Sequence, residues 1–203
     1  VPRNTYRLKD NTIVPGVTTI IGQLDKPQLV DWAWKLGKEG KDWREQRDSA
    51  GDIGTQVHEA VLASLRGEVD IKFTGDFAHQ ALSCYEKFID WWFDMAAPLI
   101  VTMESPFVSE KLSFGGQPDL LYLTNNSKFV LCDIKTSGGI YESHWLQLAG
   151  YAILLEENGY KVDEYQILWL PKDNRFDDPI RTDLRKEKRI FKHLLGIYYD
   201  RRA

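Results

Sequence analysis

The stretch Phe129-Val130-Leu131-Cys132-Asp133-Ile134-Lys135 constrains this chain more than any other, because it sets two charges inside an apolar run. The run reads as a strand in a buried environment. Side chains alternate across a strand, so Asp133 and Lys135 point to one face and Ile134 to the other. Asp119 follows Gly115-Gly116-Gln117-Pro118 at the start of a neighbouring strand, so two acids and one ammonium converge. A buried charge without a partner costs several kcal/mol, on the order of the penalties seen for desolvated ions. A hard divalent cation between the carboxylates is one explanation. A structural salt bridge from Lys135 to one aspartate is the other.

The rest of the chain reads as one α/β unit of 203 residues, with no internal repeat, low-complexity tract or dividing linker. Residues 1–22 read as extended, a short hairpin leading into Val17-Thr18-Thr19-Ile20. Helices are expected over 28–36, ended by Gly37; over Asp52 to Leu65, ended by Gly67; and over Phe77 to Ala97, with Trp91 and Trp92 in the core. After Pro98 the period changes, and Val101 to Val108, Gln117 to Leu123 and Lys128 to Lys135 read as strands. A helix from Ser143, its cap, to Asn158 and a strand from Glu164 to Leu170 precede a basic terminal helix.

Composition narrows the function classes. Cys84 and Cys132 are too few for a disulfide framework or a zinc knuckle, and a reducing, intracellular compartment follows as the default. No run approaches the roughly 18 apolar residues of a membrane span, and no secretory signal is expected. Net charge is −4, yet the segment from Arg181 to Ala203 carries +5, which leaves −9 elsewhere. An acidic remainder suits a metal-binding carboxylate cluster, while a basic face suits phosphates; a solvated terminal helix is the plainer reading. Lys35, Lys38, Lys41, Arg44 and Arg47 recur among Trp32, Trp34 and Trp43. Three residues advance a helix by about 300°, so that row spirals round the axis, and Asp31, Glu39, Asp42, Glu45 and Asp48 nearly cancel it. Stacking of the aromatics on unpaired bases remains the alternative.

Pro118-Asp119, followed at fourteen residues by Asp133-Ile134-Lys135, resembles the PD-(D/E)xK nuclease superfamily. Gly54-Thr55-Gln56-Val57-His58, the extension Thr136-Ser137 and Gln147-Leu148-Ala149-Gly150-Tyr151 are similar to the histidine, threonine-serine and QxxxY motifs of its RecB-like branch. Gln147 and Tyr151 are four apart on a helix and share a face. The opening Pro15-Gly16-Val17-Thr18-Thr19-Ile20-Ile21 is similar to the mitochondrial genome maintenance exonuclease group and its phage relatives, which carry serine where this chain has Gly16.

That resemblance implies a restriction-endonuclease-like core, a mixed central β-sheet flanked by helices, in a single nuclease domain over 1–203. Residues 1–50 would be a substrate-contacting region and 51–203 the catalytic core. It implies a metal-dependent DNA exonuclease acting on ends and favouring single strands, in recombination, repair or replication, in a bacterial or phage-infected cell. A recombination or single-strand-binding protein would be a partner. A catalytically silent DNA-end-binding module and a structure-specific endonuclease are the alternatives.

Carried over residue by residue, Lys135, Asp119, Asp133 and Glu104 are expected in catalysis, and His58, Asp119, Asp133 and the carbonyl of Ile134 as metal ligands. Gln147, Tyr151, Thr136 and Ser137 are expected to contact DNA. On spacing alone His58 shares a helix face with Val61, Leu62 and Leu65 and reads as a core histidine, and Glu110 competes with Glu104. One or two Mg²⁺ or Mn²⁺ ions suit these oxygen donors, and no iron–sulfur cluster is expected.

Overall fold

The computed structural model describes residues 5–95 and 98–202; the expected helix end at Ala97 and the expected outer ends at Val1 and Ala203 lie outside them. Strands β1 (Tyr6–Arg7) and β2 (Ile13–Val14) pair as the expected hairpin. The extended reading fails after that, because Val17–Ile21 is a helix, α1. Its β-branched residues disfavour helix locally, but Val17, Ile20 and Ile21 are buried at helical spacing, so packing overrides propensity. Helix α2 (Pro27–Lys38) runs through Gly37 and turns at Gly40, whose φ is +70°. Helix α3 (Trp43–Leu65) starts at Trp43 rather than Asp52, because the Asp42 side chain accepts the Arg44 N–H and caps it there. Gly67 stops it as expected, at φ +83°. The basic row of 35–47 is therefore split between α2 and α3. Helix α4 (Ala78–Asp94) buries Ala81, Cys84, Phe88 and Trp91, and Trp92 packs against that cluster.

The strand expected over 101–108 is broken at Glu104 and Pro106 into β3 (Leu99–Met103) and β4 (Phe107–Ser109). Glu104 takes φ +40°, which turns the chain out of the sheet. β4 pairs instead with β5 (Phe114–Gly116), a strand the sequence did not announce. The next strand, β6 (Leu120–Leu123), begins after Gln117 and Pro118, since proline cannot donate to a ladder. Then follow β7 (Phe129–Lys135), α5 (Glu142–Glu157), β8 (Glu164–Trp169), the short edge strand β9 (Ile180–Arg181), also unexpected, and α6 (Arg185–Asp200). Ser143 is not the cap of α5. Tyr141 precedes the helix, and its N–H donates to Nδ1 of His144 at 3.3 Å.

The expected mixed central sheet flanked by helices is what forms. Its order is β3-β6-β7-β8-β9, antiparallel except for β7 and β8, which are parallel with α5 as the crossover. Alternation divides the strand residues between two cores. Leu121, Leu131 and Ile167 meet α1, α5 and α6 on one face. Leu120, Val130, Cys132, Ile134 and Leu168 meet α3 and α4 on the other. Each fully buried large side chain contributes about 1.5–3 kcal/mol, so sheet position is held from both sides. Among the described residues no helix is long and apolar enough to cross a membrane.

Candidate active site

Three acids line up where β3, β6 and β7 end together. Leu120 pairs with Cys132 across β6 and β7, so the same register extended by one residue sets Asp119 opposite Asp133. Met103 pairs with Leu120 across β3 and β6, which sets Glu104 opposite Asp119; the Glu104 N–H donates to the Asp119 carbonyl at 3.1 Å. A bulge between Ile100 and Thr102 makes this row possible. Without the inserted residue the register from Ile100 would set Glu104 opposite Pro118 rather than Asp119. Glu110, the competing candidate, lies elsewhere and accepts the backbone N–H of Lys9.

Like charges set side by side across a sheet repel. The row carries one close compensating ammonium, as Lys135 Nζ lies 2.5 Å from Asp133 Oδ2. Alternation thus places Asp133 and Lys135 together as the sequence implied. Oδ1 of the fully buried Asp133 carboxylate has no hydrogen-bond partner, and Oδ2 has the Lys135 ammonium alone. Burial pushes the Asp133 carboxyl above its ordinary range, partly offset by Lys135. Burial would also lower Lys135, but Asp133 and Asp119 outweigh it and hold the ammonium above its usual value. Glu104 is raised by burial and by Asp119.

His58 comes from α3, on the opposite side of the sheet, and reaches round the end of β7. Its Nε2 lies 3.0 Å from the Ile134 carbonyl oxygen, and Nδ1 lies 3.8 Å from Asp119 Oδ2. It is part-buried rather than a core residue. Asp119 Oδ2 also accepts the Ile134 N–H at 2.8 Å. Three of the four expected ligands, His58, Asp119 and Ile134, are thus tied to one another while Asp133 is paired with Lys135, and among the described residues no three His, Cys, Asp or Glu side chains already form a coordination group. The donor chemistry nevertheless fits a hard cation: an unpartnered Oδ1 on the buried Asp133, a second carboxylate opposite it, and the Ile134 carbonyl beside His58.

Beyond the acids, a cleft of 340 Å³ is lined by His58, Lys135, Thr136, Ser137 and, unannounced by the sequence, Lys172. Lys172 lies three residues past the end of β8, the parallel neighbour of β7, and adjacency of the two strand ends was the signal that spacing alone did not reveal. Gly54 allows α3 to approach, since a Cβ there would sit 3.3 Å from Thr136 Oγ1. Gln147 Nε2 donates to the Tyr151 hydroxyl at 3.0 Å, so that pair shares a face as expected. Gly115 and Gly116 admit side chains of the protein: a Cβ on Gly115 would clash with Tyr6, and one on Gly116 with Tyr151, Leu154 and Val17.

No protein-family model matches the chain, and no curated protein matches it. Among solved structures it is similar to a Eubacterium rectale protein assigned provisionally as an exonuclease, at 13% identity and a TM-score of 0.48, over 75% of this chain and 65% of that one. The chain thus spans just under two thirds of that protein's length. It is also similar to LHK-Exo in complex with dAMP, at 11% identity and a TM-score of 0.45, over 75% of this chain and 84% of that one. A further structure of that protein, an alkaline exonuclease from Laribacter hongkongensis, aligns at 9% identity and a TM-score of 0.42 over the same shares.

Proposed function

We propose that the chain is a divalent-metal-dependent deoxyribonuclease that hydrolyses phosphodiester bonds from DNA ends, favouring single strands, in recombination, repair or replication. The observation that carries this reading is the row Glu104, Asp119 and Asp133 at one register across three strands, with Lys135 closing it. Three carboxylates facing a single ammonium leave an excess of negative charge in a buried place, which Mg²⁺ or Mn²⁺ relieves. Asp119, Asp133 and the Ile134 carbonyl would hold the ion, with His58 beside them. When bound, it would supply charge to the developing phosphorane and lower the pKa of a water.

The protein's own groups do the rest. In hydrolysis a bond forms from the water oxygen to phosphorus while the bond from phosphorus to the leaving sugar oxygen breaks. Lys135 stays protonated beside its carboxylates, so it donates to the attacking water or to a non-bridging oxygen rather than acting as a base. Glu104 would hold the water against Asp119. Thr136, in the adjoining cleft, would donate to a phosphate oxygen, and Ser137 would do so on exchanging its hydrogen bond to the Gly139 carbonyl.

Incubation of end-labelled single-stranded DNA with the protein in Mn²⁺, and in EDTA, tests the reading. Linear strands should shorten only with the ion, and circular single strands should remain intact. Asp119→Asn should lower the rate by at least about 10²-fold, the order of an electrostatic stabiliser in a dry site. Folded protein that leaves linear strands whole in Mn²⁺ and Mg²⁺ overturns the nuclease assignment and favours an end-binding module.

A further inference from the structure

A second and larger cleft, of 990 Å³, opens between the β1–β2 hairpin, α1 and the C-terminal turn of α6. None of the residues lining it is acidic, although the chain as a whole carries an excess of acids. Its walls include Tyr6, Tyr198, Tyr199 and Arg202, and its floor includes Gln117 and Tyr151. Two of these residues lie near the acidic row: Gln117 stands two residues before Asp119, and Tyr151 is near enough to Asp119 and Asp133 for their charges, after burial, to raise its phenol. Arg202 lies over the Tyr198 ring at 3.8 Å and donates to the Tyr198 carbonyl at 3.2 Å. Tyr199 meets Tyr198 edge to face at 5.5 Å.

We propose that this cleft receives an unpaired DNA strand on its way to the acidic row, with bases stacking on Tyr198 and Tyr6 and Arg202 holding a phosphate. The inference rests on the nuclease reading and adds a substrate-binding surface to it. Aromatic rings beside a guanidinium, and no carboxylate to repel phosphate, form the chemistry that grips a single strand without reading its sequence. An exposed cation–π contact shifts an equilibrium by about fivefold or less. A stacked base is worth roughly 5- to 150-fold. Arg202 is therefore readily released from Tyr198 toward a phosphate when a base takes the ring. The cleft has the volume of a large small-molecule pocket, ample for a nucleotide and its neighbour. The +5 charge of the segment from Arg181 onward favours approach of the strand to this end.

The test uses the full chain in EDTA with fluorescein-labelled oligo(dT), read by anisotropy at several salt concentrations, beside cleavage assays in Mn²⁺. Tyr198→Ala should weaken binding by roughly 5- to 150-fold, and Tyr198→Phe should bind as the wild type does, which separates stacking from misfolding. Arg202→Gln should reduce the slope of log affinity against log salt by about 0.7, one single-strand phosphate contact. Bromodeoxyuridine cross-linking should label the tryptic peptide His193–Arg201. Wild-type protein that cuts DNA while Tyr198→Ala binds it as tightly, with the cross-link elsewhere, overturns this inference alone. Wild-type protein that neither binds nor cuts the strand overturns the nuclease reading, and this inference with it.

Discussion

Asp133 is fully buried, and its neighbour Lys135 keeps it from being an isolated charge in the core. Removing one member of such a pair costs about 3–5 kcal/mol, whereas replacing both is often nearly neutral. Lys135→Ala is therefore expected to lower unfolding free energy by about 3 kcal/mol and to lose DNA cleavage by about 10²–10³-fold. Adding Asp133→Ala should recover much of the stability and none of the cleavage. Urea unfolding with parallel turnover measurements checks both halves, and near-wild-type turnover in the single variant would remove Lys135 from the mechanism. Gly116 belongs to the same scale. An added methyl meets Leu154, Tyr151 and Val17 at 2.9 Å each, so Gly116→Ala should cost about 1–3 kcal/mol of stability through overpacking, read as a lower urea midpoint.

Helix α5 carries Gln147 and Tyr151 past the acids, and its start depends on a neutral histidine. His144 Nδ1 accepts the Tyr141 N–H, while burial, then Lys135 and Lys26, push its pKa down to about 4. The unfolded chain titrates near 6.5, so between those values the unfolded state binds the extra proton. Stability is full above about 6.5 and is lost as pH falls toward 4, by about 1–2 kcal/mol at pH 5. Thermal unfolding at pH 7 and pH 5 should show that loss. His144→Asn, which keeps an acceptor and does not titrate, should flatten it; an unchanged pH slope in the variant would assign the effect to other groups. On the other side of the sheet, α3 delivers His58, and Gly54 lets the helix close on Thr136.

Taken as a whole, the molecule clamps a sheet between two cores and sets Asp119, Asp133 and Lys135 at one end of it, with α3 on one face and α5 on the other. Binding of an ion there should stabilise the fold as a unit. Mn²⁺ at about 100 times its dissociation constant should add about 2.7 kcal/mol, seen as a higher Tm that EDTA reverses. Asp119→Asn should lose that increment, and an equal increment in the variant would place the ion elsewhere. The strand Phe129–Lys135, the facing of Asp133 and Lys135 and the shared face of Gln147 and Tyr151 were legible in the sequence, because alternation and helical period are local geometry. The helix at Val17–Ile21, the split at Glu104, the strand β5 and Lys172 were not, because each depends on what packs or pairs with it. The sequence by itself determined which residues could carry charge into a buried strand and on which side of it they lie. That Glu104 joins Asp119 and Asp133 comes from the fold, because a bulge shifts the pairing of β3 by one residue and register exists only between paired strands.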